Sequence, residues 1–252
     1  MILIKAQPHR SSRYFETVCC AGVGRDRQWR RQYPVPFRIL QDDQKFGRWQ
    51  WVSYDFVAPK DDRRSESQKV ISKTLTAKEK MKPSERANFL APLVLGSLLE
   101  ADARRDSLTL IRPREIRLEA KEKLPSELAN ETLKHRELAN QLSLLEEDEE
   151  VEPLTPCRMQ FILHWSDQDG KKHRQECDDW ETVTAFNRFD RMYGERLAVK
   201  YLREEYEDAY FNAGLVLGFS THSRRNIENA ARNQWLLVGL IRLNECHQSQ
   251  LF

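Results

Sequence analysis

Arginine and aromatic residues are interleaved along the first part of the chain, and this combination of side chains could bind nucleic acid. A guanidinium group bridges phosphate oxygens and also stacks on flat rings. Small β-rich modules combine such a cationic groove with aromatic faces on which bases stack. The pattern therefore predicts a nucleic-acid-binding surface made of Arg25, Arg27, Trp29, Arg30, Arg31, Tyr33, Arg38, Arg48, Trp49 and Trp51.

The same residues also suit a structural role. The aromatic rings would then form the core of a β module, while the arginines snorkel to the surface or form ion pairs. Strand alternation bears on this choice, because Trp29 and Arg31 share one face of a strand and Arg30 lies on the other. Both interpretations stay open, and the ion-pair partners would be Asp42, Asp43, Asp61 and Asp62.

A second cationic group lies near the C-terminus, in a long polar loop between two apolar segments. Its residues are His222, Arg224 and Arg225, which could bind a phosphate. A generic solvated loop explains the same composition.

Two cysteines and two histidines surround a predicted hairpin in the last third of the chain, with the spacing Cys-x6-His-x8-His-x3-Cys. A zinc ion takes two sulfur and two nitrogen ligands, so Cys157, His164, His173 and Cys177 are weak candidates for a metal site. A four-residue loop would place His164 opposite His173. The spacing matches no known zinc motif, and ordinary strand residues with buried thiols are the alternative.

Five carboxylates near the same hairpin could hold Mg²⁺ for a nuclease: Asp167, Asp169, Asp178, Asp179 and Glu181. Turn formation and helix capping explain them more simply. The sequence contains no phosphate-binding glycine loop, no Gly-x-Ser-x-Gly and no His-Glu-x-x-His. We therefore expect no catalytic residues and no cofactor, with Zn²⁺ or Mg²⁺ as minor alternatives.

Charge is segregated along the chain although the net charge is only +2. Residues 1–64 contain 13 Lys/Arg and seven Asp/Glu, whereas Glu146–Glu152 is an acidic tract. The five cysteines form no dense framework, and Met1–Lys5 lacks the apolar region of a signal peptide. We expect free thiols, a cytoplasmic location and no membrane partner.

The patterns predict an α+β fold with three parts. Residues 1–60 form a small β-barrel-like module of at least four short strands that carries the basic, aromatic-rich surface. Residues 61–156 form a charged linker with a helix at about 84–103, kinked near Pro92, a short strand and the acidic tract. Residues 157–252 form a β-β-α-β-β module, with a helix that starts at Trp180 and packs on a mostly antiparallel sheet.

The chain resembles a family of uncharacterised prokaryotic proteins, for which no activity is implied. The segments that carry this resemblance include Tyr33-Pro34-Val35-Pro36-Phe37-Arg38 and Asp179-Trp180-Glu181. Leu108–Pro113 and the run from Trp235 to Leu240 match as well, so the resemblance extends over nearly the whole chain.

Taken together, these features predict a non-catalytic nucleic-acid-associated protein whose C-terminal module scaffolds or oligomerises. Its binding would weaken with salt and fall on charge reversal at Arg30 or Arg31. The first alternative is an adaptor subunit that docks a partner protein through the acidic tract and the long helix. A metal-dependent hydrolase or nuclease is the second alternative.

Overall fold

The computed structural model describes residues 1–11, 15–143, 152–221 and 235–245 of a mixed α+β chain. Within these ranges the strands are Ile2–Lys5 (β1), His9–Ser11 (β2), Phe15–Val23 (β3), Trp29–Val35 (β4), Gln50–Ser53 (β5), Phe56–Val57 (β6), Ser67–Val70 (β7), Thr76–Lys80 (β8), Val94–Leu95 (β9), Leu108–Ile111 (β10), Glu115–Glu122 (β11), Met159–Ser166 (β12), Lys172–Glu176 (β13), Leu215–Thr221 (β14) and Trp235–Arg242 (β15). The helices are Pro83–Leu90 (α1), Leu98–Ala103 (α2), Pro125–Ser143 (α3), Trp180–Tyr193 (α4) and Glu195–Arg203 (α5), and a π-helical segment Glu204–Tyr210 follows α5.

The N-terminal strands form an open sheet in the order β1-β3-β4-β7-β6, with β2 also paired to β3. The expected barrel-like module is therefore corrected, since the described strands close into no barrel. Two strands that the sequence placed in a linker explain the difference. β7 pairs with β4, and β8 pairs with β5 in a separate two-stranded ribbon, which keeps β5 out of the larger sheet.

The helix expected at about 84–103 is two helices. α1 ends at Leu90, and a 3-10 turn that contains Pro92 leads into β9, which pairs in parallel with β10. Ser97 then caps α2 by accepting a hydrogen bond from the amide of Glu100 at 3.4 Å. The proline interrupts the helical ladder, as the sequence predicted, but the chain uses the break to insert a strand.

The four strands of the predicted C-terminal module belong to two sheets rather than one. β12 and β13 pair with β11, whereas β14 and β15 pair with β10 and β9. β11 occupies part of the segment that the sequence predicted to be a charged linker. α4 begins at Trp180 after Asp179, as predicted.

The N-terminal and C-terminal sheets share a hydrophobic core. Ile4 and Ala21 lie in the same buried cluster as Leu110 and Ile241. Gly218 of β14 is paired with Gly239 of β15, and both make room for Ile4. A Cβ at Gly218 would lie 2.9 Å from Cδ1 of Ile4, so a larger residue there would require the Ile4 side chain to shift.

Among the described helices, none combines the length and the apolar composition that crossing a bilayer requires.

Candidate nucleic-acid interface

The turn between β3 and β4 presents two of the predicted arginines, Arg25 and Arg27. The amide of Gly24 donates to the carbonyl of Gln28 at 3.0 Å, and the amide of Arg27 donates to the carbonyl of Gly24 at 3.0 Å. Asp26 accepts a further hydrogen bond from the Gln28 amide at 3.0 Å. These bonds hold both arginine side chains exposed at the tip of the hairpin.

Each of these arginines lies on an aromatic ring from another element. The guanidinium carbon of Arg25 is 4.5 Å from the ring centre of Trp51 in β5, and that of Arg27 is 5.6 Å from the ring centre of Phe89 in α1. The two rings meet edge to face with centres 5.9 Å apart. Together they line a cleft of about 460 Å³, whose other lining residues are Met81, Ser84, Glu85 and Asn88.

A second cleft of about 320 Å³ adjoins the first and shares Arg25 and Trp51 with it. Arg30, Tyr54 and Phe56 also line this cleft. The rings of Tyr54 and Phe56 lie 6.3 Å apart, and Phe56 is half exposed. Aromatic and cationic groups therefore continue from α1 past the hairpin tip to β6.

Ion pairs at this surface are solvent-exposed. Arg25 contacts Glu79 at 2.9 Å with both side chains more than 60% exposed, and Arg30 contacts Asp26 at 2.6 Å. The pKa of Asp26 lies below its ordinary value because the Gln28 amide and the Arg30 guanidinium stabilise the carboxylate. Exposed pairs of this kind contribute little stability, so phosphate oxygens can compete for the arginines.

Arg31, which the sequence analysis assigned to the binding surface, lies inside the protein. Its side chain is 4% exposed, and burial lowers its pKa. Nη1 donates to the hydroxyl of Ser220 at 2.6 Å, and Nη2 donates to the carbonyl and the hydroxyl of Ser107, each at 3.0 Å. The carboxylate of Glu66 is 3.5 Å away. Arg31 therefore joins β4 to the ends of β10 and β14.

Arg48, also predicted to bind nucleic acid, is largely buried and paired with Asp179. Nη2 donates to both carboxylate oxygens at 3.0 and 2.9 Å, and Nη1 donates to the carbonyl of Leu240. Burial disfavours the charge of Arg48, but the adjacent carboxylates of Asp179 and Glu181 outweigh that effect and raise its pKa. Asp179 also accepts hydrogen bonds from the amides of Leu240 and Glu181.

The remaining N-terminal candidates are distributed differently. Trp49 is buried with a positive φ of 70°, so the backbone leaves the strand pattern there and places this ring in the core. Trp29, Tyr33 and Arg38 are half-buried, and Arg38 donates to the carbonyl of Glu152. None of these four residues lines either cleft at the hairpin tip.

The second cationic group lies outside the described residues. This applies to His222, Arg224 and Arg225, and also to most of the acidic tract, of which Glu152 alone lies within a described range.

The two candidate metal-binding histidines do not face each other. His164 pairs across the hairpin with Arg174, whereas His173 pairs with Trp165. The expected register was based on a four-residue loop, but residues 167–171 form a five-residue connection. A shift of one residue moves a side chain to the other face of the sheet, so the two imidazoles point to opposite sides.

Each histidine instead contacts a carboxylate on its own side of the sheet. Nε2 of His164 lies 2.5 Å from Glu119, and Nε2 of His173 lies 2.9 Å from Asp167. The ring of His173 also stacks on Trp165 with centres 4.2 Å apart. These contacts position the hairpin.

The cysteines are free thiols in the described part of the chain, namely Cys19, Cys20, Cys157 and Cys177. Burial raises the pKa of both Cys157 and Cys177, which keeps them protonated near neutral pH. Across the described ranges, the His, Cys, Asp and Glu side chains form no group of three that could hold a metal ion.

Structural partners are present for three of the carboxylates considered for magnesium, namely Asp167, Asp179 and Glu181. Asp179 caps α4, as expected, and Glu181 contacts Lys5 at 2.9 Å. Asp167 is buried in the hairpin loop, where it accepts a hydrogen bond from the amide of residue 171 at 2.8 Å. Asp169 is exposed at the tip of that loop.

Three aromatic members of the interface were not predicted as site residues: Tyr54 and Phe56 of the second cleft, and Phe89 of the first. Phe89 belongs to α1, where an apolar residue reads as part of a helix core, and the sequence carries no signal that this helix lies beside the β3–β4 turn. Trp51 belonged to the predicted aromatic group together with Trp49. Nothing in the sequence indicated that Trp51 lines the cleft while Trp49 is buried, because that difference depends on the positive φ of Trp49.

Two family models match the chain. One, described as a domain of unknown function (DUF8758), matches residues 1–93, and the other, described as a domain of unknown function (DUF8757), matches residues 95–252. No curated protein and no solved structure matches the chain significantly. Because the second model spans more than half of its length, the chain belongs to the DUF8757 family.

Proposed function

We propose that the chain binds single-stranded nucleic acid in the two adjoining clefts at the β3–β4 turn. Arg25, Arg27 and Arg30 would contact phosphates, and unpaired bases would stack on Trp51 and Phe89. The observation that carries this proposal is the stacking of Arg25 on Trp51 and of Arg27 on Phe89 around one open cleft.

This arrangement suits phosphate and base recognition together. A guanidinium that already stacks on a ring loses less freedom when it binds a phosphate than a free side chain does. Arg25 and Arg27 also leave part of each ring open to solvent, since Trp51 and Phe89 are both only half-buried. Each base that stacks on such a ring contributes about 1–3 kcal/mol.

A single strand fits this surface better than a duplex. Stacking on Trp51 or Phe89 requires the face of a base, which a base pair within a helix does not expose. The rings also lie within clefts, whereas duplex phosphates would meet the exposed hairpin tip alone. We therefore expect weak, sequence-tolerant duplex binding and stronger binding to an unpaired strand.

The competing explanation is that the arginine–aromatic contacts only brace the hairpin turn. Fluorescence anisotropy with a labelled oligothymidine and a matched duplex separates the two explanations. Trp51→Ala should weaken single-strand binding about 5- to 150-fold, which corresponds to one lost stacking contact. A melting curve for each variant shows that the protein remains folded.

Arg25→Met provides the electrostatic test, with Arg188→Met as its matched control. Arg188 also lies on an aromatic ring, 5.0 Å from the centre of Phe189, but in α4 away from the clefts. Loss of one phosphate contact should reduce the slope of log K against log salt by about 0.7 for a single strand. Wild-type protein that binds no oligonucleotide at about 50 mM salt, or binding unchanged in both cleft variants, would overturn the proposal.

A further inference from the structure

Two arginines from distant parts of the chain meet where α1 approaches β15 and the π-helical segment. Arg86 belongs to α1, and Arg242 is the last residue of β15. Each lies on an aromatic ring. The guanidinium carbon of Arg86 is 4.6 Å from the ring centre of Trp49, and that of Arg242 is 6.0 Å from the ring centre of Tyr210. Both arginines are half-buried, so solvent still reaches them.

The positive charges of these two arginines act against each other. Burial and the charge of Arg242 both lower the pKa of Arg86, whereas Tyr210 acts in the opposite direction. Like charges that are close together and partly desolvated disfavour each other's charged form unless an opposite charge compensates them. This junction therefore has a place for a negative charge.

The described part of the chain does not supply that charge. No carboxylate within it acts on the charge of Arg86. The Nε atoms of Arg86 and Arg242 are both buried without a hydrogen-bond partner. Arg86 donates one long hydrogen bond, from Nη2 to the carbonyl of Met81 at 3.4 Å. Buried donors are normally satisfied, so these two arginines have donor capacity left over for a ligand.

The carboxylates around Tyr210 are directed elsewhere. They are Asp179, Glu181 and Glu205. Asp179 is paired with Arg48 at 2.9 Å, and Glu181 is paired with Lys5 at 2.9 Å. Glu205 lines a separate cleft of about 340 Å³ beside Phe189. Arg86 and Arg242 thus share a site that carries two cations and one neutral hydroxyl.

We infer that Arg86, Arg242 and Tyr210 bind a phosphate group. Both guanidinium groups would donate charge-assisted hydrogen bonds to its oxygens. Burial raises the pKa of Tyr210, so its hydroxyl stays protonated and can donate as well. A tetrahedral phosphate presents oxygens in several directions and can accept from three elements at once, whereas the two oxygens of a carboxylate match a single guanidinium fork.

This site is separate from the clefts at the β3–β4 turn, because neither Arg86 nor Arg242 lines them. The inference therefore does not depend on nucleic-acid binding there. A phosphate held between α1 and β15 would join the N-terminal and C-terminal parts of the fold, so its binding should raise the melting temperature of the whole chain.

The competing explanation is that both arginines only cover the rings of Trp49 and Tyr210. Melting curves of the full chain in about 0.1 to 100 mM inorganic phosphate, with sodium chloride added to constant ionic strength, separate the two explanations. The Tm of the wild type should rise with phosphate. Arg86→Met and Arg242→Met should each shift the phosphate concentration needed for this rise about 10- to 150-fold upwards, which corresponds to one lost charge-assisted contact.

Arg188→Met is the matched control, since Arg188 also lies on a ring, 5.0 Å from the centre of Phe189. It should respond to phosphate as the wild type does, and so should Arg25→Met, which alters the nucleic-acid clefts alone. In phosphate-free buffer Arg86→Met and Arg242→Met should melt no lower than the wild type, because each removes the repulsion between the two charges. Arginines that only cover rings would instead lower the Tm equally with and without phosphate.

Oligothymidine with and without a 5′-phosphate identifies the source of the phosphate. Weaker binding of only the phosphorylated strand by Arg86→Met would assign the site to a nucleic-acid end. Equal binding of both strands by Arg86→Met and wild type, with the response to inorganic phosphate lost, would assign it to a free phosphate. A wild-type Tm that rises no more with phosphate than that of Arg86→Met and Arg242→Met would overturn the inference, since the rise would then be a general salt effect.

Discussion

Two groups of arginines from one short segment of the chain lie in contrasting places. Arg25 and Arg27 are exposed on aromatic rings, whereas Arg31 and Arg48 are enclosed by hydrogen-bond acceptors from the C-terminal half. The local excess of positive charge is therefore not one electrostatic surface. Part of it connects the two halves of the fold, and part of it is available for ligands.

Strand geometry explains the division. Arg30 and Arg31 are neighbours in β4, and successive side chains of a strand point to opposite faces. Arg30 consequently faces the second cleft, and Arg31 faces Ser107 and Ser220 in the interior.

The largest expected effect is a loss of folding stability when the buried Arg48 is replaced. Arg48→Met leaves the carboxylate of Asp179 buried beside an apolar side chain, so we expect a loss of about 3–5 kcal/mol in the free energy of unfolding. Urea denaturation measures this loss, and nucleic-acid binding per folded molecule should not change. A loss below about 1 kcal/mol would mean that Asp179 is satisfied without Arg48.

Arg31→Met should have a smaller effect of about 1–3 kcal/mol, because it removes hydrogen bonds from a charged donor to Ser107 and Ser220. Charge reversal at this residue, which the sequence suggested as a binding test, would therefore report on folding. Arg30→Met is the matched control one residue away and should change stability by at most about 0.5 kcal/mol. Equal destabilisation by both substitutions would contradict the division between the two faces of β4.

Acid sensitivity tests a further pair between the two extremes, the half-buried contact of Arg64 with Asp62. Burial opposes ionisation of Asp62, but hydrogen bonds from Arg64 and Ser67 prevail and lower its pKa from 3.8 to about 2. The contribution of this ionised group to stability is complete above about pH 4 and is lost as the pH falls towards 2. Asp62→Asn should therefore destabilise the protein by roughly 1 kcal/mol near pH 6, after allowance for solvent screening, and by almost nothing near pH 2. A difference between variant and wild type that is independent of pH would contradict this assignment.

The smallest expected effect on stability comes from changing the exposed partner of Arg25. Glu79→Ala removes the exposed partner of Arg25, and we expect a change of at most about 0.5 kcal/mol in the free energy of unfolding. Oligonucleotide affinity should rise slightly, because Arg25 then has no adjacent competitor for phosphate. A large loss of stability would show that the Arg25–Glu79 pair holds the hairpin.

Local signals made parts of the structure predictable. The β12–β13 hairpin follows from alternating apolar residues around an Asp-Gly turn, and Asp179 was identified as a candidate helix cap. β7 and β8 were not predicted, because segments such as Thr-Ala-Lys-Glu-Lys of β8 have no apolar alternation. Their extended conformation comes from hydrogen bonds to β4 and β5 instead. Contacts between distant residues, such as Arg48 with Asp179 or Trp51 with Phe89, leave no local pattern to read. The arginine–aromatic composition pointed to the right segment but could not separate its buried members from its exposed ones.

The close packing of Ile4 against Gly218 and Gly239 has a consequence for the two segments that the family models match. The division near residue 94 runs through a single hydrophobic cluster, since β1 belongs to one segment and β14 and β15 to the other. Either segment expressed by itself would present an apolar sheet face to water. The two pieces should behave as halves of one folding unit that regain native structure when they are combined, and they should not act as interchangeable modules.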